Sequence, residues 1–151
     1  MQVFIIGTPI ETAKALDRKR LNKQIIECQQ ILNALNGAKA WSKHPCVLQY
    51  RGHEEWLNFY LDCLFYYRSY LCEESWTKQE SLILKSQFCS RFAMDLRPQF
   101  HTQEYFTQMK KRLYTKDNEH YKQWSNFGES NQNFYYVNGE WRIYENGKRI
   151  K

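Results

Sequence analysis

The sequence predicts a mainly α-helical fold: a compact single-domain helical bundle with a short C-terminal β-hairpin. Three observations carry this. Apolar residues recur at three- and four-residue steps through most of the chain, the period of one buried helix face. Towards the end the pattern changes to extended runs, Phe134-Tyr135-Tyr136-Val137 and Glu140-Trp141-Arg142-Ile143-Tyr144, on either side of Asn138-Gly139, a dipeptide suited to a two-residue hairpin turn. A chain of 151 residues, 42% hydrophobic and 17% aromatic, is also long and apolar enough to bury one core. We therefore expect one domain over residues 1–151, helical over 8–113, with a charged segment and the hairpin over 114–151.

Residues 3–6 form an apolar run that ends at Gly7 and reads as a buried N-terminal strand or extended segment. Thr8-Pro9-Ile10-Glu11 has the capping-box spacing with proline at the first helical position, where its missing N–H costs nothing. Asp17 is placed to cap a longer helix in which Leu21, Ile25, Cys28, Leu32 and Leu35 form the buried stripe, until Asn36-Gly37 stops it. At about 100° per residue, Arg20, Lys23, Gln24, Glu27 and Ile31 fall on a neighbouring, largely polar face. That puts Glu27 at the edge of the core, close to cations.

A polar loop through Trp41 and His44-Pro45 follows. Residues 54–72 read as an aromatic-rich helix with Trp56, Leu57, Tyr60, Leu64, Tyr67 and Leu71 on one side, and residues 76–92 as another, capped by Ser75. Arg97-Pro98 breaks that element, residues 102–113 form a short basic helix, and a charged stretch occupies 114–120. Asn146-Gly147 offers a second tight turn. Trp56, Tyr60 and the neighbouring tyrosines read mainly as packing. Trp124 and the hairpin tyrosines suit either base stacking or cover for a sheet edge.

Lys and Arg number 22 against 16 Asp and Glu, a net charge of +6. The excess is uneven: residues 1–53 carry eight basic and three acidic side chains, residues 54–80 two and six, and residues 81–151 twelve and seven. A basic folded surface attracts polyanions because each phosphate it neutralises releases condensed counterions, so nucleic acid is the leading partner class. Charge alone suits a solvated basic face equally well. Arg18-Lys19-Arg20 is more specific, since three cations at a helix start oppose the helix dipole and lack a structural motive there.

No run approaches the roughly 18 apolar residues that span a bilayer, and the opening Met-Gln-Val-Phe-Ile-Ile has neither a basic n-region nor a cleavage site. A cytoplasmic protein without a membrane partner is expected. Cys28, Cys46, Cys63, Cys72 and Cys89 are odd in number, lack a Cys-x-x-Cys pair and mostly sit in apolar patterns, as reduced buried thiols do. His44, His53, His101 and His120 have no tight ligand spacing with Asp117 or Glu119, so neither a metal nor another cofactor is expected.

Leu16-Asp17-Arg18-Lys19-Arg20-Leu21-Asn22-Lys23-Gln24-Ile25-Ile26-Glu27 resembles the first helix of the pyrimidine-dimer DNA glycosylase and AP lyase family, the phage endonuclease V-like enzymes. A leucine, a basic residue followed by leucine, and a glutamate occur there in that order. Pro45-Cys46-Val47-Leu48-Gln49-Tyr50-Arg51-Gly52-His53 is similar to the family's Pro…Gly-His segment that leads into an aromatic helix, and is one residue shorter here. Both blocks, with Asp117-Asn118-Glu119-His120-Tyr121, look closer still to the uncharacterised bacterial branch. A small nucleic-acid enzyme of this kind suits a phage or a bacterium.

The resemblance implies that the chain's own N-terminal amine attacks the deoxyribose C1′ and expels a base, leaving enzyme and DNA joined by an imine. An α-amino group, ordinarily titrating at about 7.7 to 8.0, keeps a neutral fraction at physiological pH, unlike an ordinary lysine. Met1 precedes the bulky Gln2, which discourages its removal, so the implied nucleophile is the Met1 amine. Glu27 falls on the family's catalytic glutamate, which stabilises positive charge on the sugar and handles protons during strand cleavage. Arg18, Lys19, Arg20, Lys23 and Arg51 are the implied phosphate contacts, with Gln24 and His53 as further substrate-binding candidates.

Where the family has arginines immediately before the glutamate and three residues after it, this chain has Ile26 and Gln30. A substrate other than the dimer, such as a modified base or a nucleotide, follows from that change. Duplex DNA with a damaged or modified base is the leading partner. The alternatives are a non-catalytic module that binds nucleic acid or a nucleotide, and a hydrolase of the glycosidic bond of a modified nucleoside or nucleotide.

Overall fold

The computed structural model describes residues 1–72 and 97–151. The helix expected at 76–92, its Ser75 cap and Cys89 lie outside the described residues, as do the side chains of Leu71 and Cys72.

Helix α1 (Pro9–Ala15) begins as the capping box requires: Thr8 Oγ1 accepts from Glu11 N at 3.1 Å and donates to Glu11 Oε1 at 3.1 Å, with proline in the first turn. Helix α2 (Arg18–Leu35) starts at Asp17, whose Oδ2 accepts from Arg20 N at 3.4 Å, and stops where Gly37 takes φ +109°, a conformation open to glycine. Its expected stripe is inside, with Leu21, Ile25, Cys28 and Leu32 buried and Leu35 packed against the core. The neighbouring face differs from its sequence reading. Gln24, Glu27 and Ile31 are buried too, at 0%, 8% and 0% exposure, and the N-terminal segment bonds to the first two.

The loop read through His44-Pro45 holds a short helix instead. Pro45 opens α3 (Pro45–Gln49), and His44 Nδ1 caps it by accepting from Cys46 N at 3.1 Å. One turn is too short to display an apolar period. Trp41 just before it is exposed and has φ +66°. Helix α4 (Glu54–Cys72) has the expected bounds and packs on α1 and α2 through Trp56, Leu57, Tyr60 and Leu64. Each such buried side chain stabilises the fold by about 1.5–3 kcal/mol.

Helix α5 (Gln103–Lys116), capped by Thr102, runs three residues beyond the expected end and buries Tyr105, Phe106, Met109 and Leu113. A 3₁₀ helix over Lys122–Phe127 follows and packs on α5. The hairpin is present: β1 (Gln132–Val137) pairs antiparallel with β2 (Glu140–Glu145), Val137 opposite Glu140. Asn138 and Gly139 turn the chain at φ +52° and +80°, as a type I′ turn demands. The second turn, at Asn146-Gly147, adds a third strand, β3 (Lys148–Arg149), which is too short to read in sequence. Cys28, Cys46 and Cys63 are buried free thiols. Among the described residues no helix is long and apolar enough to cross a membrane.

Candidate active site at the chain start

Val3, Phe4 and Ile5 are buried, yet among the described residues the segment joins no sheet. Its backbone groups still need partners, since a buried unpaired peptide group costs as much as a lost hydrogen bond. Side chains supply them. The Tyr135 hydroxyl donates to Met1 O at 2.6 Å, Gln24 Nε2 to Gln2 O at 2.7 Å and the Tyr60 hydroxyl to Phe4 O at 2.9 Å. Phe4 N donates to Gln24 Oε1 at 2.9 Å, and Ile6 N to Thr12 Oγ1 at 3.0 Å. Gln2 is itself buried, its Nε2 donating to the Tyr105 hydroxyl at 3.2 Å. The first residues are thus tied to α1, α2, α4, α5 and β1.

Met1, so held, shares a cavity of about 360 Å³ with Glu27 of α2. Glu27 Oε2 accepts from Gln24 Nε2 at 2.9 Å, and the carboxylate also accepts from the Gln2 backbone N–H. Burial pushes the Glu27 carboxyl above the usual carboxylate range. Opposing that shift are the chain's amino terminus, the Gln2 hydrogen bond, Lys23 and Lys116. The amine is close enough for its charge to be felt at His44 and Cys46 as well.

Lys19, Arg20, Lys23, Arg112 and Lys116 line the same cavity, so five cations surround one carboxylate. Arg20 is partly committed, its guanidinium bonding Asp17 Oδ2 at 3.3 Å and the Lys116 carbonyl at 3.0 Å, which satisfies an open carbonyl at the α5 C-terminus. Arg112 Nη1 donates to Ser130 O at 3.4 Å. Loss of water holds the Lys116 ammonium below its ordinary value, helped by Arg112 and Arg20 and opposed by Glu27. Such a cavity suits an anionic ligand whose reacting atom lies between a primary amine and a carboxylate.

Of the residues singled out in the sequence, Met1, Lys19, Arg20, Lys23, Gln24 and Glu27 come together here. Arg18 is exposed on the first turn of α2 and does not line the cavity. Arg51 and His53 line a separate groove with Arg97, Phe100 and Tyr136, where burial lowers the His53 imidazole and Glu54 opposes the shift. Arg112, Lys116 and Asn133 were not singled out in the sequence. Arg112 and Lys116 are one helical turn apart in α5, but the expected helix ended at 113, before Lys116.

The architecture is a helical fold in which a strapped chain start meets a basic cavity. Residues 1–67, less than half of the chain, match the family model of the pyrimidine dimer DNA glycosylase. The match contains both sequence blocks, with Glu27 and His53, and ends before Arg112, Lys116 and Asn133. Neither a curated protein sequence nor a solved structure matches the chain significantly.

Proposed function

We propose that the protein is a DNA glycosylase with AP lyase activity, using the Met1 amine as nucleophile and Glu27 as the charge-stabilising and proton-transferring carboxylate. The observation that carries this reading is the common cavity of Met1 and Glu27, walled by five cations. The neutral amine attacks C1′ and forms the N–C1′ bond, while the glycosidic C1′–N bond breaks and the base leaves with its electron pair and takes up a proton. The adduct nitrogen loses one proton, and its lone pair then forms the C1′=N bond as the C1′–O4′ bond breaks and O4′ takes up a proton, which gives the protonated imine. Glu27 stabilises the positive charge on the sugar, then removes a C2′ proton so that the C3′–O3′ bond breaks.

DNA is the substrate this reading requires. A nucleotide drawn out of the stack leaves phosphates on both sides of the reacting sugar, and Lys19, Lys23, Arg112 and Lys116 are placed to meet them. Arg51 and His53 belong to a second contact along the same strand. The absence of arginine at Ile26 and Gln30 favours a damaged or modified base other than the dimer.

Borohydride trapping of the untagged protein on duplex DNA, with an abasic site or a pyrimidine dimer, tests the reading. A covalent complex is expected, lost on blocking the Met1 amine and strongly reduced in Glu27→Gln. No complex on either substrate would overturn it and leave a binding module or a nucleoside hydrolase.

A further inference from the structure

The side-chain amide of Gln24 is used to capacity. It is 0% exposed, both of its hydrogens are donated, and its oxygen accepts from a backbone N–H and shares the single Tyr60 hydroxyl hydrogen with Phe4 O. Nε2 donates to Gln2 O at 2.7 Å and to Glu27 Oε2 at 2.9 Å, while Oε1 accepts from Phe4 N at 2.9 Å and from the Tyr60 hydroxyl at 3.1 Å. Two of these partners fix its orientation. A backbone N–H only donates and a backbone carbonyl only accepts, so the oxygen must face Phe4 and the nitrogen must face Gln2. Glu27 therefore meets an N–H and never the amide oxygen.

We infer that Gln24 is the positioning residue of this site, one amide that sets the first residues of the chain and the Glu27 carboxylate in fixed relation to each other. The inference rests on the reading of Glu27 as the reacting carboxylate. A residue needed only to satisfy the buried chain start would have to reach Gln2 and Phe4. Gln24 also spends a hydrogen on Glu27, one turn further along the same helix, and bonds to an ionised acceptor are about twice as strong as neutral ones. The ionised carboxylate is thus held against its own burial, and its oxygen is kept turned to the Gln2 peptide unit. Tyr60 braces the arrangement from α4 through Gln24 Oε1 and Phe4 O without touching Glu27.

Two readouts on the full chain test this. The first is a ¹³C NMR titration of the Glu27 side-chain carboxyl, assigned by its disappearance in Glu27→Gln. The second is borohydride trapping between pH 5 and 8. In Gln24→Met, which keeps length but not the donor, the carboxyl should titrate about one pH unit higher, and trapping should fall about tenfold further at pH 6 than at pH 8. Tyr60→Phe should lower the melting temperature and leave the Glu27 midpoint in place. An unmoved Glu27 midpoint in a cooperatively melting Gln24→Met protein would overturn the inference, as would an equal shift in Tyr60→Phe. Should Gln24→Met fail to melt cooperatively, Gln24→Glu replaces the donor with an acceptor, and an upward shift supports the inference while none overturns it. The titration does not depend on activity, so a wild-type protein that traps nothing would defeat the glycosylase reading separately.

Discussion

Asp17 and Tyr121, 104 residues apart in sequence, exchange hydrogen bonds: Asp17 N donates to the Tyr121 hydroxyl at 2.9 Å, and the hydroxyl donates to Asp17 Oδ1. The same carboxylate caps α2 and pairs with Arg20, which reaches on to the Lys116 carbonyl. The start of the helix that carries Glu27 is thereby bolted to the C-terminal third of the chain, which supplies Arg112 and Lys116 to the cavity.

Removing that hydroxyl leaves the Asp17 N–H and one carboxylate oxygen without partners, so Tyr121→Phe should cost about 1–3 kcal/mol in urea unfolding at pH 7. Burial opposes the Asp17 charge, but Tyr121 and Arg20 together hold its carboxyl below the usual range. A lowered folded value means that the folded state gives up the proton more readily than the unfolded one. The stabilisation is present above the ordinary carboxylate range and is lost as pH falls through the lowered value. Urea unfolding of Asp17→Asn at pH 7 and pH 3 should therefore converge on wild type at the acid end.

Glu27 has the opposite sign. With its folded value raised by burial, the folded state holds the proton more tightly, so this group's contribution to stability grows as pH falls through the raised value and is unfavourable at neutral pH. Glu27→Gln should unfold no more easily than wild type at pH 7, with any advantage shrinking towards pH 4, while trapping falls by about 10²–10⁴. A variant that loses activity by losing its fold would show the reverse in a thermal melt.

The cavity's cations should appear in the salt dependence of duplex binding. If Lys19, Lys23 and Lys116 each neutralise one phosphate, substituting any of them by glutamine weakens binding across sequences and lowers the slope of log K against log salt by about one. Fluorescence anisotropy from 50 to 200 mM salt measures this. An unchanged slope in all three variants would remove DNA from the cavity.

How far the site was legible depended on where its signals lie. Asp17, the α2 stripe and Asn138-Gly139 are local, because a cap, a period and a turn are set by residues within a few positions of one another. Glu27 was placed at the core's edge by helical phase and given a role by the Leu16 to Glu27 block. Gln24 read as a substrate-binding candidate beside the basic residues, since nothing nearby announces that Gln2, Phe4 and Tyr60 converge on its amide. Arg112, Lys116 and Asn133 reach the cavity through contacts such as Arg20 to Lys116 and Tyr135 to Met1, which pair residues 96 and 134 positions apart. No window of sequence contains both partners.

His101 provides the last test, away from the cavity. It is 1% exposed among Tyr50, Trp56, Phe100 and Tyr105, with Nε2 2.9 Å from the Tyr50 hydroxyl and Nδ1 without a partner among the described residues. Burial holds its imidazole well below the ordinary histidine value, with His53 and Arg97 adding to the effect. The ring is therefore neutral in the folded protein, whereas in the unfolded chain it takes up a proton near pH 6.5. The folded state binds fewer protons between those two values, so stability is full above about pH 6.5 and declines as pH falls below it. His101→Gln keeps a group able to bond Tyr50 but cannot titrate. It should be less stable than wild type at pH 8 through poorer packing, and the gap should narrow by pH 5 in urea unfolding. A gap that stays constant with pH would mean that the His101 ring takes up its proton over the same pH range in the folded and unfolded chain.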